Sequence, residues 1–404
     1  MPNNPSRQAA IVAAAESDEI GYLDNNPKTS MMLHVEAIRN VTAMAGIKIS
    51  DIEAVGSPGV AGNVAEYLGI DPKWIDTTQI GGCSFQVLAE HMLAAINAGI
   101  FEIGVITHGE PGWSRRQGAF GRGGRFGGGG GEPDAFGPQF EAPYGPAGAP
   151  TAYSHALTRH MYQWGSTQAD FAQIAVTTRD WATLNPRAIM HSKETHPYGG
   201  AITVDDVLTS RVISWPLNLL DCCLVCDHGG AVLIASAAVA RSLKTAPVWI
   251  AGAGEAMDHA SMLEMKDFTA TSASLSAGRA YKMAGMGPED MEMAMIYDSF
   301  TVTAGITAEM LGLTPRGEGP SLWADGNAGP GGKFPVNTNG GGLSFNHSGM
   351  YGMQLLIESY RQLSGTAEDG VHGIAGKQTN AKSLVVNGTG GSLSYTGTLV
   401  LTAD

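Results

Sequence analysis

The sequence predicts an α/β protein made of two similar halves, from its glycine content, an internal repeat, and short apolar strands alternating with helices. The 404 residues include 55 glycines, too many for a helical bundle and suited to tight strand-to-helix turns. The chain matches itself at an offset of 239 residues. Residues 11–16 match 250–255, a short apolar strand ending in an acid, and Met44-Ala45-Gly46 matches Met283-Ala284-Gly285, a helix end closed by glycine. Asp51-Ile52-Glu53 matches Asp290-Met291-Glu292, which leads into the next strand. Three blocks holding one offset without slippage imply halves related by pseudo-twofold symmetry that pack together and share a site.

The elements of the first half follow in order. A strand is predicted near 9–15, then a helix at about 31–46, where Met32, Leu33, Val35, Ala37, Ile38, Val41 and Met44 recur at helical spacing. Next come a strand near 52–56, a helix near 62–68, a long apolar helix from Cys83 to about 98, and a strand over 103–107. Strands alternating with helices imply parallel sheets covered on both faces. Residues 119–131, almost all Gly, Arg and Phe, and the Pro/Gly-rich text up to Pro150 cannot form a core and read as a mobile loop or lid. A helical stretch at about 152–183 and a polar stretch over 184–200 follow, and apolar strand text returns at 219–236. This divides the chain into a first half (1–110 and 201–245), a loop region (111–200) and a second half (246–404).

Composition narrows the function. The formal charge of −14 argues against non-specific nucleic-acid binding, though not against an anionic small ligand met by locally gathered basic residues. No run of 18 apolar residues and no basic-then-apolar start occurs, so no membrane span or secretory signal is expected. Four cysteines, two of them adjacent, do not form a disulfide framework, and a reducing cytoplasm is expected.

Cys83 is the most informative residue. Gly81-Gly82 turns an extended segment into the long helix and places the thiol in its first turn. Unpaired N–H groups and the positive helix end there predict a lowered thiol pKa, hence a thiolate nucleophile for acyl groups. A second signal runs from Asn337 through Gly340-Gly341-Gly342 to His347. Consecutive glycines let backbone approach a ligand, and a histidine after them, ahead of the apolar helix 353–363, is placed to act as base or oxyanion donor. Arg115, Arg116, Arg122 and Arg125 either clamp the phosphates of an anionic ligand or keep the loop solvated. Cys223-Leu224-Val225-Cys226, with Cys222 and His228 nearby, lies in apolar text without a second ligand pair, so it reads as core packing and no metal site is expected. His108-Gly109-Glu110 follows a strand end, where substrate contact and ordinary loop polarity are both open.

These residues resemble the thiolase superfamily over nearly the whole chain, above all the sterol-carrier-type thiolases and relatives that work with a small zinc-ribbon/OB-fold subunit. Gly81-Gly82-Cys83-Ser84-Phe85 resembles the nucleophile segment, and Asn337 to His347 the Asn-x-x-Gly-Gly…Gly-His-Pro loop. Residues 227–231 resemble the Asp-Gly-Ala segment that closes the first half, and 386–391 the C-terminal glycine loop, which includes Gly390. The resemblance implies two βαβαβαββ halves in an α/β/α/β/α sandwich, a loop domain and a homodimer. It also implies that Asn346 and Tyr351 border the substrate. The departures are specific. Where the family places a second cysteine, this chain has Asn387 and Tyr297-Asp298-Ser299-Phe300, and its second half contains no cysteine. Ser299 is a poorer acid/base than a thiol and would at best position a water or relay a proton; Tyr297 and Asp298 complete that segment. Asn346 and Ser348 flank His347 in place of Gly and Pro.

The leading expectation is a C-acyltransferase that cleaves a bulky or aromatic 3-oxoacyl-CoA through an acyl-Cys83 intermediate, or runs the reverse condensation. Cys83 N–H, the Gly388–391 loop and His347 would hold the oxyanion, with coenzyme A as co-substrate and no cofactor held by the chain. A second reading is a thiolase-like retro-aldolase for a 3-hydroxyacyl-CoA, with Tyr297 and Tyr351 as acid/base groups. A third is a non-catalytic acyl-CoA- or lipid-binding scaffold.

Overall fold

The structure is a computed structural model that describes residues 4–120, 137–145, 148–368 and 376–404. Its strands are β1 (Ala9–Glu16), β2 (Ala54–Gly56), β3 (Trp74–Asp76), β4 (Ile103–Pro111), β5 (Val212–Ser214), β6 (Leu217–Asn218), β7 (Asp227–Ser236), β8 (Val248–Met257), β9 (Met293–Ile296), β10 (Ser383–Gly390) and β11 (Tyr395–Thr402). Nine form one sheet in the order β3-β2-β4-β7-β1-β8-β11-β10-β9, with β5 and β6 as a separate pair.

That order contains the repeat. β2-β4-β7-β1 on one side answers β9-β10-β11-β8 on the other, each with one parallel pair followed by two antiparallel pairs. At the centre β1 and β8 join at only two residue pairs, Ala10 with Trp249 and Ile11 with Val248. The 239-residue offset persists in three dimensions. Helices Ser30–Ala45 and Ala273–Ala284 both end on left-handed glycines, Gly46 and Gly285. Each leads into a short 3-10 turn, Ile49–Asp51 and Pro288–Asp290, before the next strand.

The half-sheets face each other across two apolar helices, Ser84–Asn97 and Gly352–Ser364, which pack against strands of both halves. Helices Ser30–Ala45 and Ala273–Ala284 cover the outer faces, giving α/β/α/β/α layers. The central layer holds the main core, including Phe85, Leu88, Met92, Met353, Leu356 and Tyr360. Such double coverage explains the unbroken burial of β1, β7 and β10. Among the described residues no helix is long and apolar enough to cross a membrane.

Several elements differ from the sequence expectation. The stretch 152–183 is two helices, Ala149–Trp164 and Gln168–Thr183. Gly165 ends the first in the left-handed region, and Thr167 with Asp170 opens the second with a capping box. Their apolar faces join the outer core of the second half through Tyr153, Leu157, Phe171 and Ile174. β4 continues to Pro111, so His108-Gly109-Glu110 lies within a strand and not after one. β7 starts only at Asp227, because residues 219–226 form a 3-10 turn and an extended segment along the second half. The run 121–131, with Arg122 and Arg125, lies outside the described residues.

Candidate active site

Cys83 caps the helix Ser84–Asn97 and does not lie within its first turn. The approach is closely packed. A Cβ on Gly81 would lie 2.9 Å from Gly390 Cα, and one on Gly390 3.0 Å from the Cys83 sulfur. Burial pushes the Cys83 thiol well above the ordinary range, and the charge of Glu255 adds to the effect. This overturns the expected low-pKa thiolate. The sulfur is fully buried and lies 3.7 Å from the Ile80 carbonyl, an acceptor that favours the S–H form.

The second half brings four side chains to this point. Tyr297 follows β9, and its ring fills the space above Gly82, where a Cβ would lie 2.2 Å from Cε2. Its hydroxyl is 3.1 Å from His347 Nε2 and 3.4 Å from the Gly349 carbonyl, and it accepts the Tyr351 N–H at 3.0 Å. Tyr351 stacks on His347 with ring centroids 6.2 Å apart and donates its hydroxyl to Asn339 Oδ1 at 2.8 Å. Burial lowers His347 to about 4, with His108 and Arg116 adding repulsion, so its ring is neutral at pH 7. Burial raises both tyrosines well above the usual phenol range. Asp298 is enclosed by the glycine loop, where a Cβ on Gly341 would lie 2.0 Å from Oδ2, and the Gly342 N–H donates to Oδ1 at 2.7 Å. Burial nevertheless raises its carboxyl to about 8.

Tyr297 therefore touches both Gly82, the residue before Cys83, and His347. The helices that Cys83 and His347 precede meet end to end, since Gln86 Nε2 donates to the Gly352 carbonyl at 2.9 Å and a Cβ on Gly352 would lie 2.0 Å from the Gly82 oxygen. Two helix N-termini converge on the site, and their partial positive charge favours an anion forming there.

The remaining predicted residues spread around this centre. Ser299 bonds Thr303 at 3.0 Å and reaches the hydroxyl of Tyr153. Asn346 is buried, donates to the Asp227 carbonyl at 3.3 Å and accepts from Gln354 at 3.4 Å. Arg115 and Arg116 lie on the short helix Gly112–Arg116, which Asp227 anchors through the Ser114 N–H at 3.0 Å and hydroxyl at 2.5 Å. Arg116 is exposed and its charge reaches both His347 and Cys223.

Two groups named from sequence take positions at the site that the sequence did not give. The Cys222–Cys226 segment, read as core, borders the loop: Cys223 N–H bonds the Ser299 carbonyl at 2.9 Å, Leu224 N–H the Gly342 carbonyl at 3.0 Å, and the His347 N–H meets Cys226 Sγ at 2.9 Å. Asn337 pairs both ends of its amide with the backbone of Ile296 at 2.8 Å, which fixes the loop to β9. The Asn-x-Asn spacing ahead of three glycines was the available signal for Asn337 and Asn339. The cysteine segment carried none. Among the described residues no group of three or more His, Cys, Asp or Glu side chains is arranged to hold a metal.

The layers and the position of the site define a thiolase-like enzyme fold. A "Thiolase C-terminal domain-like" family model matches residues 254–403. A steroid side-chain-cleaving aldolase of Thermomonospora curvata is 30% identical, covering 98% of each chain. A 17-hydroxy-3-oxo-4-pregnene-20-carboxyl-CoA lyase of Mycobacterium tuberculosis is 29% identical, covering 95% of this chain and 97% of the relative. Among solved structures, an Ltp2-ChsH2(DUF35) aldolase superposes with a TM-score of 0.84 at 27% identity, covering 99% of this chain and 98% of the other. The chain belongs to the thiolase superfamily.

Proposed function

We propose that the chain is a retro-aldolase that splits a bulky 3-hydroxyacyl-CoA, of steroid side-chain type, into a ketone and a shorter acyl-CoA. The observation that carries this reading is the Tyr297 hydroxyl 3.1 Å from the neutral His347 ring. The substrate hydroxyl gives its proton to the Tyr297 oxygen as the phenol proton moves to Nε2. The C2–C3 bond breaks, its electron pair forms the thioester enolate, and the proton returns through Tyr297 to C2. The enzyme ends as it began. Converging helix ends oppose the enolate charge, and Tyr351 supplies the second phenol. Coenzyme A enters as part of the substrate ester and not as a co-substrate.

Thiolysis, the leading sequence expectation, is less well supported. It requires a nucleophilic thiolate, whereas burial disfavours one at Cys83. Near-full-length likeness to proteins named as a lyase and an aldolase also favours C–C cleavage without an acyl-enzyme. We further propose a small partner subunit, supported by the Ltp2-ChsH2(DUF35) assembly, and a homodimer.

The test is to incubate the chain, co-purified with its partner, with a 3-hydroxyacyl-CoA bearing a tertiary carbinol and identify products by mass spectrometry. Ketone and shortened acyl-CoA are expected, with Cys83→Ala keeping most of the rate. Acylated Cys83 formed from a 3-oxoacyl-CoA would overturn the reading.

A further inference from the structure

Glu110 is a buried acid for which the proposed chemistry has no role. It sits near the end of β4 opposite His228 in the ladder with β7, and among the described residues neither carboxyl oxygen receives a hydrogen bond. Buried polar groups are nearly always bonded, so an orphaned carboxyl beside an active site calls for an explanation. His108, two residues earlier on the same face of the strand, places its Nε2 3.3 Å from Oε2.

Both residues press on the turn that carries His347. His108 Nε2 also lies 3.3 Å from Ser348 Oγ. Gly349 lies directly against the carboxyl, since a Cβ there would be 2.4 Å from Oε1, and its φ of +143° suits only glycine. The Gly349 carbonyl is the second acceptor of the Tyr297 hydroxyl. At the strand end Gly112 meets the Ser348 carbonyl, 2.2 Å from where its Cβ would be. Among the described residues His228 opposite has no partner for either ring nitrogen, and burial lowers it to about 3. Tyr297 and Cys226 both feel the Glu110 charge, and His34, His228 and His347 feel His108.

We propose that Glu110 and His108 are a positioning pair, which clamps the Ser348–Gly349 turn from β4 and so holds the His347 ring and the Tyr297 hydroxyl in hydrogen-bonding register. The pair spans the halves: strand β4 of the first half holds the catalytic turn of the second. Its kinetic consequence rests on the retro-aldolase reading; its structural consequence does not.

The test uses Glu110→Gln, which keeps shape and removes charge, with His108→Gln as the second variant, each in the full chain with its partner. Each is expected to lower kcat at least about tenfold with KM within about twofold, and the double variant to be no worse than the poorer single. Selective ¹⁵N-histidine NMR of the ligand-free chain is expected to show the His347 ring resonances moved in both variants, with Glu110→Asp restoring part of the shift. Unmoved His347 resonances, or additive losses in kcat, would overturn the proposal. A wild-type chain without retro-aldolase turnover would count against the proposed function alone, because the NMR comparison needs no substrate.

Discussion

The ring of Tyr297 rests on Gly82 so closely that a single methyl group there would lie 2.2 Å from Cε2. The glycine before Cys83 thus sets the position of a phenol from the opposite half. Gly82→Ala is expected to displace Tyr297, cost about 1–3 kcal/mol through overpacking and cut kcat about a hundredfold. Denaturant melts with steady-state kinetics check it, and native rates in the Gly82→Ala variant would show that the ring position is unimportant.

Tyr297→Phe removes the partner of His347 Nε2 and the acceptor of the Tyr351 N–H. Leaving these groups unpaired should cost about 1–3 kcal/mol. Turnover should fall about 10²- to 10⁴-fold, the range for losing an acid/base group. Single-turnover measurement of C–C cleavage separates that loss from slower product release.

Burial holds His347 to about 4, and His34 and His228 to about 3, against an ordinary 6.5. Below pH 6.5 the unfolded chain binds protons that the native chain refuses. The stability each histidine contributes is therefore present above 6.5 and lost as pH falls toward 4 and 3, by about 1.4 kcal/mol per unit per group. Urea unfolding between pH 7 and 5 should lose this stability, and His34→Gln should flatten the slope. An unchanged slope would mean that His34 titrates normally in the fold.

Asp298 acts in the opposite direction. Its carboxyl is raised to about 8 by burial, so its contribution is present below 3.8 and lost as pH rises toward 8. Between pH 6 and 8 wild-type stability should therefore decline more steeply than that of Asp298→Asn. Parallel unfolding curves for the two proteins over that interval would refute the assignment.

Lys377 is fully buried and pairs with Glu358, whose other oxygen accepts Thr338 Oγ1 at 2.6 Å and Gln362 Nε2 at 2.9 Å. Lys377→Ala leaves that carboxylate uncompensated beneath the glycine loop. A loss of about 3–5 kcal/mol is expected by chemical denaturation. A far smaller loss would mean that the carboxylate takes up a proton instead.

The repeat was legible because helix-ending glycines and short 3-10 turns are local signals, and Gly46 and Gly285 carry them in both copies. The Cys83 and His347 elements were legible because glycines mark places where backbone must approach something closely. The thiol's actual state was not. A helix N-terminus is visible in sequence, but the burial that outweighs it depends on Gly388 and Gly390, some three hundred residues away. Cys226 is buried in a small apolar core as expected, but apolar text over 219–236 does not reveal that β7 begins only at Asp227. β3 was missed because three residues, two half-buried and one exposed, leave no periodicity to count.

The two central helices occupy matching stations in the repeat, each preceding the strand that pairs in parallel with an outer neighbour, β4 beside β2 and β10 beside β9. Cys83 caps one and Tyr351 the other, with nearly the same backbone angles. A duplicated scaffold has thus filled one inherited position twice, with sulfur in the first copy and a phenol in the second. Changes of reaction type in such a molecule need no new architecture, only a different choice of side chain at either of two twin posts.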